Sequence, residues 1–377
     1  MNHYTDNISN GVLKLSMFVH LGGKLLIHDL YDKSVYAGKD IEKIFFELLK
    51  TNLSEKELIE EKQCSPVAVE LLKTEKYVLP LAQEESSMFL PLKVSMETMQ
   101  HCNAQCVFCP QHIERKGRNV MSDETFEIVL NRLKPYSPQS ISFTHYNEPL
   151  LDKKFKERVI KINENNLKLF LFTNATHLTD DLIHFLCDSN LYGVIFNFPS
   201  LVESEWVNFM HLSPKFYHKA RTAIENFVSS FKGKLEKYSI LVNGISEDQI
   251  RRTNEIREHF QKFGDIDIEA WISHSRAGAI ENESVTKRIN TIRQKFGGCD
   301  RIAHNLHISY DGKVFLCCQD YHQKIVLGDL LTDDIKTIME SENAKSLRAE
   351  IFGEKPMRKD LICRSCVQLR NWKVGIQ

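Results

Sequence analysis

Six short apolar runs alternate with amphipathic stretches along the middle of the chain. The runs occupy residues 92–98, 140–146, 167–174, 192–198, 237–243 and 266–273. Near-continuous runs of Val, Ile, Leu and Phe are typical of strands buried on both faces of a parallel sheet. Stretches such as SDETFEIVLNRL have helical spacing. Six β-α units predict a barrel-like or doubly wound α/β domain, with its active site at the carboxyl ends of the strands.

The first 90 residues have a different pattern. Two apolar runs flank a polar turn in KLLIHDLYDKSVYAG, which predicts a β-hairpin. DIEKIFFELLK repeats apolar residues at helical spacing, and Ser54 with Glu57 forms a capping-box signature for a second helix. SPVAVELLKTEKYVLPL adds a third helix and a last strand. This order predicts a small winged-helix-like unit.

The last part of the chain combines a hairpin with one helix. NLHISYDGKVFLCC reads as two alternating strands around Asp-Gly, and TDDIKTIMESENAKSLRAEI reads as a helix before CRSC. We therefore predict three domains, at residues 1–90, 91–285 and 286–377.

Charge and hydropathy exclude some classes of protein. The formal net charge of the 377 residues is -1, which favours neither nucleic acid nor an anionic membrane as a partner. No apolar run approaches the roughly 18 residues of a membrane span, and the N-terminus lacks the pattern of a signal peptide. We expect a cytoplasmic protein that binds neither nucleic acid nor membrane.

Eight of the ten cysteines fall in two clusters, which in a chain of this kind indicates metal binding or catalysis more than disulfides. The first cluster, CNAQCVFCP, places Cys102, Cys106 and Cys109 directly after the first predicted barrel strand. His101 or His112 could complete a four-ligand zinc site. Alternatively, three thiolates on a four-iron cubane leave one iron open to a substrate or cofactor.

The second cluster has four thiols in the spacing C-x17-C…C-x2-C. Its members are Cys299, Cys317, Cys363 and Cys366. Four thiolates can close either a structural zinc site or an iron–sulfur site. Cys318 is the alternative to Cys317 as the second ligand.

The C-x3-C-x2-C motif after the first strand resembles the hallmark of the radical S-adenosylmethionine (SAM) superfamily, and Phe108 matches its usual aromatic residue. The resemblance implies a six-unit partial (β/α)6 TIM-like barrel. It also implies a [4Fe–4S] cluster whose open iron chelates SAM. One electron, from a donor such as flavodoxin or ferredoxin, then yields methionine and a 5′-deoxyadenosyl radical that abstracts hydrogen from the substrate.

Polar residues at later strand ends match further elements of this superfamily. HYNEP resembles the Gly-Gly-Glu element, in which Glu148 would hold the SAM amino group and Asn147 replaces the usual glycine. Arg276 would pair with the SAM carboxylate, which a guanidinium fits as a fork. The remaining SAM-binding candidates are Thr173, Asn174, Asn197 and Ser200. Each of these residue types is also common in turns or on surfaces.

The region from GGCDRIAHNLHISYDGKVFLCC to CRSC resembles the SPASM and twitch extensions of radical SAM enzymes, which hold auxiliary [4Fe–4S] clusters. A full SPASM domain needs more cysteines than remain here. We therefore predict the shorter twitch form, with one auxiliary cluster on Cys299, Cys317, Cys363 and Cys366.

The N-terminal region resembles the element with which maturases of ribosomally made peptides bind a leader peptide, as an added strand at a sheet edge. The resemblance implies an enzyme that modifies a precursor peptide, and we expect a side-chain crosslink. Epimerisation needs a hydrogen donor near the barrel, whereas Cys187 lies in a helical stretch. The alternatives are a peptide epimerase, a dehydrogenase of a small molecule such as an aminocyclitol, and a zinc-binding interaction protein. No dedicated catalytic base is evident.

Overall fold

A computed structural model describes nine segments of the chain. They are residues 12–15, 19–22, 25–28, 33–80, 89–244, 248–273, 275–280, 298–352 and 354–366. Their strands form a nine-stranded sheet and two three-stranded sheets. None of the helices in these segments has the length and apolar character required to cross a membrane.

The N-terminal part folds around its own apolar cluster, which includes Leu26, Phe45 and Leu72. Its strands are β1 (Val12–Leu15), β2 (Val19–Gly22), β3 (Leu25–His28), β4 (Lys33–Tyr36), β5 (Leu53–Ser54) and β6 (Val78–Pro80). Its helices are α1 (Lys39–Lys50) and α2 (Pro66–Thr74), with a π-helical turn at Glu57–Glu61 between them. The antiparallel sheets have the orders β2-β3-β4 and β5-β1-β6. The predicted hairpin and helices are present, while the winged-helix assignment stays a prediction.

The predicted capping box is formed at Ser54. The Ser54 amide donates to the Glu57 carboxylate at 2.6 Å, and the Glu57 amide donates to the Ser54 hydroxyl at 3.1 Å. These bonds satisfy two amides that a helix start leaves without intrahelical partners.

The central sheet carries six parallel strands in chain order. They are β7 (Lys93–Met96), β8 (Ser140–Ser142), β9 (Leu169–Thr173), β10 (Leu191–Asn197), β11 (Lys237–Gly244) and β12 (Asp267–Ile272). The helices between them are α3 (Asp123–Leu133), α4 (Phe155–Glu164), α5 (Asp180–Cys187), α6 (Glu203–Met210), α7 (Pro214–Ser230) and α8 (Asp248–Phe260). Each of the six predicted runs overlaps one of these strands. The α/β class is therefore confirmed, and the sheet is consistent with a radical SAM partial barrel.

The C-terminal region continues the same sheet. It contains α9 (Asp300–His304), β13 (Asn305–Ile308), β14 (Lys313–Phe315), β15 (Val326–Asp329), α10 (Ile335–Met339) and α11 (Glu342–Ile351). β13 lies parallel to β7, and β14 and β15 follow antiparallel at that edge. The boundary predicted between residues 285 and 286 lies outside the described residues, and the domain limits stay predictions.

The prediction of a single helix after the C-terminal hairpin is wrong. Two helices form there, because Ser341 caps the second one and its hydroxyl accepts a hydrogen bond from the Ala344 amide at 3.3 Å. A serine in this position offers the backbone a cap in place of a continued helix.

A buried ion pair fixes the end of β7, from which the first cysteine loop starts. The Arg158 guanidinium on α4 contacts the Asp152 carboxylate and donates to the Thr98 carbonyl at 3.2 Å, and both charged side chains are about 2% exposed. We expect Arg158→Met to lower the free energy of unfolding by about 3–5 kcal/mol, because Asp152 would remain as an uncompensated buried charge. Urea unfolding measures this loss.

The control for that measurement is Lys156→Met, which removes an exposed ion pair to Asp181 and should change stability little. Equal stability of the two variants would contradict the role assigned to Arg158.

Candidate functional site

The three cysteines of the first cluster lie in one loop at the carboxyl end of β7. Cys106 is buried in the apolar core of the barrel, and the half-buried Cys102 and Cys109 pack against that core. Two backbone amides of the loop, at residues 105 and 107, donate to carbonyls at the end of α6 at 3.1 and 3.0 Å. The loop is therefore bonded to the end of α6, the helix that follows β10.

The three thiols form one electrostatic group. Burial raises the pKa of Cys102 to about 12 and raises the pKa values of Cys106 and Cys109. The charges of Cys109 and Cys102 raise the pKa of Cys106 further. Thiolates in such a group need a nearby cation, and metal binding releases the thiol protons. Three thiols of one loop, close enough for their charges to interact, fit a metal cluster.

Glu148 lies buried beside this loop and accepts three hydrogen bonds. Its carboxylate accepts from the Thr173 hydroxyl at 2.7 Å, from the Asn174 amide at 2.8 Å and from the Leu150 amide at 3.2 Å. Burial raises the pKa of Glu148 to about 7, and these hydrogen bonds oppose the shift. The carboxylate is thus fixed by donors from two neighbouring strand ends.

Asn103 and Thr176 connect Asn174 to the cysteine loop. The Asn174 amide group donates to the Asn103 side-chain oxygen at 2.9 Å, and the Asn103 amide group donates to the Thr176 hydroxyl at 2.9 Å. Neither Asn103 nor Thr176 was among the predicted site residues. The sequence did hold a signal for each of them: Asn103 lies within the cysteine motif, and Thr176 follows Asn174 by two residues.

Asn147 and Phe108 have local structural contacts. The Asn147 side chain accepts from the His145 amide at 2.6 Å and donates to the Phe143 carbonyl at 3.0 Å, which closes the turn after β8. Phe108 packs in the core of the barrel. The Asn147 amide group therefore shapes the turn that presents Glu148.

Asn197 lies close to the cysteine loop, while Ser200 belongs to a helix start. The Met210 sulfur is 3.5 Å from the Asn197 amide nitrogen and 3.6 Å from the Cys106 sulfur. The Ser200 hydroxyl instead donates to Glu205 at 2.5 Å and accepts from the Val202 amide at 3.0 Å. The geometry thus gives Ser200 a capping contact near α6.

Arg276 lies on the Cys109 side of the first cluster. It has a positive φ of 50°, and its guanidinium is 5.9 Å from the centre of the Tyr146 ring. Its charge opposes the rise that burial causes in the pKa of Cys109. A cation in this place is suited to an anionic group bound next to the cysteine loop.

The second cluster lines a cleft in the C-terminal region. Four thiols face this cleft, and they belong to Cys299, Cys317, Cys363 and Cys366. Burial raises the pKa of Cys317 well above its usual range, and charges on the neighbouring cysteines raise it further. The Gln319 amide donates to the Cys317 sulfur at 3.4 Å, a contact that iron–sulfur ligands commonly accept. Cys318 is not among the described residues that line this cleft.

Across the segments that the structure describes, no three His, Cys, Asp or Glu side chains, the thiols of the two clusters included, are close enough together to hold a single metal ion. The exposed His112 packs edge-on against His211, with ring centres 4.8 Å apart.

Two family models match the regions that contain the two cysteine sets. Residues 96–256 match the radical SAM superfamily, and residues 299–367 match the SPASM iron–sulfur cluster-binding domain. This chain is a radical SAM enzyme. Its cofactors are S-adenosylmethionine, a [4Fe–4S] cluster that binds it, and auxiliary iron–sulfur chemistry in the SPASM region. The predictions of family, enzyme class and cofactor type are confirmed, and the zinc-binding alternative is set aside.

Curated and solved radical SAM relatives are distant in sequence. The S-adenosyl-L-methionine-dependent 2-deoxy-scyllo-inosamine dehydrogenase of Niallia circulans is 20% identical over 277 residues, which are 72% of this chain and 91% of that protein. Streptococcus suis SuiB bound to precursor peptide SuiA is 14% identical, with a TM-score of 0.56 over 89% of this chain and 90% of its own. Native anSMEcpe with AdoMet and the Cp18Cys peptide is 16% identical, with a TM-score of 0.50 over 74% of this chain and 87% of its own.

Proposed function

We propose that this radical SAM enzyme matures a ribosomally made precursor peptide, binding the leader on its N-terminal domain and crosslinking side chains of the core peptide. The observation that carries the proposal is the N-terminal unit. It has its own apolar cluster and two small antiparallel sheets, β2-β3-β4 and β5-β1-β6, each with two edge strands among the described residues. An extended peptide can add to such an edge through main-chain hydrogen bonds.

The share of this chain that each relative matches supports a peptide substrate. The match covers nearly all of the dehydrogenase, yet it leaves more than a quarter of this chain unmatched. The fold of SuiB, which was solved with a precursor peptide, extends over 89% of this chain. A segment that accompanies the barrel in the peptide-bound protein is well suited to peptide recognition here.

The geometry supports a division of roles around the first cluster. Cys102, Cys106 and Cys109 would hold the [4Fe–4S] cluster, which supplies the one-electron chemistry that cleaves SAM. Glu148, fixed by its three donors, would accept hydrogen bonds from the SAM ammonium group. Arg276 would face the SAM carboxylate. Thr173 and Asn174 act through Glu148, whose carboxylate they orient.

The four thiols of the C-terminal cleft would hold one auxiliary cluster. A crosslink leaves a substrate radical that must lose one electron, and an auxiliary cluster is a suitable acceptor because its potential is set by the protein. The electron for SAM cleavage would come from a flavodoxin or ferredoxin.

The neighbours Cys317 and Cys318 give a matched test of this ligand set. We expect Cys317→Ala to lose about four irons, because its thiol lines the cleft with the other three ligands. Cys318→Ala should retain them, since Cys318 is not among the residues that line the cleft. Iron and sulfide analysis after anaerobic reconstitution measures both variants. Equal losses would contradict the assignment.

The second candidate function is the dehydrogenation of a small molecule. It is favoured by the curated relative, which acts on 2-deoxy-scyllo-inosamine and matches 72% of this chain. In this alternative the N-terminal unit would be a structural cap on the barrel.

Incubation with a candidate precursor peptide distinguishes these functions. The reconstituted full chain, SAM and a reductant are mixed with a peptide encoded beside the gene, and the product is analysed by mass spectrometry. We expect a loss of two hydrogens that depends on the leader, so the core peptide alone should react poorly. An unchanged mass with a D-residue would identify an epimerase. Oxidation of an aminocyclitol, with no reaction of the peptide, would identify a dehydrogenase.

A further inference from the structure

Tyr146 occupies the turn between β8 and Glu148 in an unusual backbone conformation. Its φ is 62°, a left-handed value that is rare for a bulky residue and costs on the order of 1–3 kcal/mol. Its hydroxyl oxygen is buried and has no hydrogen-bond partner, sulfur included, among the residues that the structure describes. A buried hydroxyl without a partner is also unfavourable. Both costs fall on one residue beside the first cysteine loop.

The surroundings fix this side chain firmly. The Gln111 side chain, two residues after Cys109, donates to the Tyr146 carbonyl at 2.9 Å. The Tyr321 ring packs edge-on against the Tyr146 ring with centres 5.0 Å apart, and Arg276 lies over the ring. Gln111 therefore holds the backbone of Tyr146, while Tyr321 and Arg276 contact its ring and restrict the position of the phenol.

The hydroxyl lies within electrostatic reach of cysteines from both sets. Burial raises the pKa of Tyr146 well above its usual range, Arg276 opposes this, and thiolate charge at Cys318, Cys109 and Cys317 raises it further. A phenol already carries its proton at neutral pH, because its ordinary pKa is about 10, and it is then a hydrogen-bond donor. The neighbouring charges that favour such a donor are those of sulfur atoms.

We propose that the Tyr146 hydroxyl donates a hydrogen bond to a sulfur of the [4Fe–4S] cluster held by Cys102, Cys106 and Cys109. The first cluster is the expected acceptor because the Tyr146 turn is bonded to the cysteine loop at two points. Gln111, two residues after Cys109, donates to the Tyr146 carbonyl, and the Glu148 amide donates to the carbonyl of His101, next to Cys102. A hydrogen bond to a cluster sulfur stabilises the more negative, reduced cluster and raises its reduction potential. Tyr146 is thus a tuning residue, whichever substrate the enzyme takes.

The test is the reduction potential of the first cluster in Tyr146→Phe, measured by redox titration with electron paramagnetic resonance. The reconstituted full chain is used without SAM and without substrate, so that a contact to the cluster itself is detected. Phenylalanine keeps the ring contacts and removes only the donor. We expect the reduction equilibrium of the first cluster to fall about tenfold, which is 59 mV for a one-electron couple.

Tyr321→Phe is the matched control, because the Tyr321 hydroxyl already donates to the Glu114 carbonyl. Removal of the Tyr321 hydroxyl should leave the reduction potential of the first cluster unchanged. An unchanged potential in Tyr146→Phe with full iron content would overturn the proposal. So would an equal shift in both variants, or a shift confined to the second cluster.

A second substitution covers the case in which Tyr146→Phe accumulates poorly. Incorporation of 4-aminophenylalanine at position 146 keeps a donor at the end of the same ring. The reduction potential of the first cluster should then fall by clearly less than the roughly 59 mV expected for a ring without a donor. A fall of about 59 mV in this variant would count against the hydrogen bond.

Discussion

Replacing Cys106 with alanine is expected to abolish formation of 5′-deoxyadenosine. Cys106 is the most deeply buried of the three loop thiols, and the Met210 sulfur lies 3.6 Å from its own. Without this thiolate, only two ligands remain in the loop, which is too few to hold a cubane that also binds SAM. We expect reconstituted protein to lose about four irons. Iron analysis and chromatography of the SAM cleavage products measure both effects.

Two other cysteines provide controls for this result. Cys64 is also buried, but it lies in the N-terminal apolar cluster, so Cys64→Ala should retain all iron and normal SAM cleavage. Cys363→Ala should lose the irons of the second site while SAM still binds the first. If Cys106→Ala kept its iron and produced 5′-deoxyadenosine at the wild-type rate, the assignment of the loop would be wrong.

The sheet and the cysteine loops were predictable because their signals are local. A strand buried on both faces must be apolar at nearly every position, as in LFLFT of β9, so its run is visible without knowledge of its neighbours. The spacing of Cys102, Cys106 and Cys109 is local as well. Glu148 could be placed because strand ends of a parallel sheet converge at one edge.

The features that escaped prediction depend on long-range contacts. Nothing in the NLHI segment of β13 specifies that it pairs with β7, about 210 residues earlier, and so continues the barrel sheet. The contacts of the Asn147 side chain with backbone atoms of its own turn were not visible in the sequence either, and its place at SAM stays a prediction. The sequence could not single out Tyr146, because its backbone strain and its unpaired hydroxyl exist only in the folded chain.

Glu148→Gln is expected to weaken SAM binding by roughly 10- to 150-fold, the cost of losing a hydrogen bond to a charged group. The wild-type carboxylate accepts from Thr173, Asn174 and Leu150, and these donors come from two strand ends. A glutamine must turn its own N–H2 group toward one of these donors, so one buried donor loses its acceptor. It also removes the negative charge that the SAM ammonium group requires.

The iron content should not change in this variant, because Glu148 is not a ligand, and this separates SAM binding from cluster assembly. Titration of the reduced cluster with SAM, followed by electron paramagnetic resonance, gives the affinity. Glu350→Gln is the matched control, since Glu350 is a buried carboxylate that pairs with Arg358 away from the cysteine loop. It should bind SAM as wild type does. If both variants bound SAM equally well, the hydrogen bonds around Glu148 would only stabilise the barrel, and another group would have to receive the SAM ammonium.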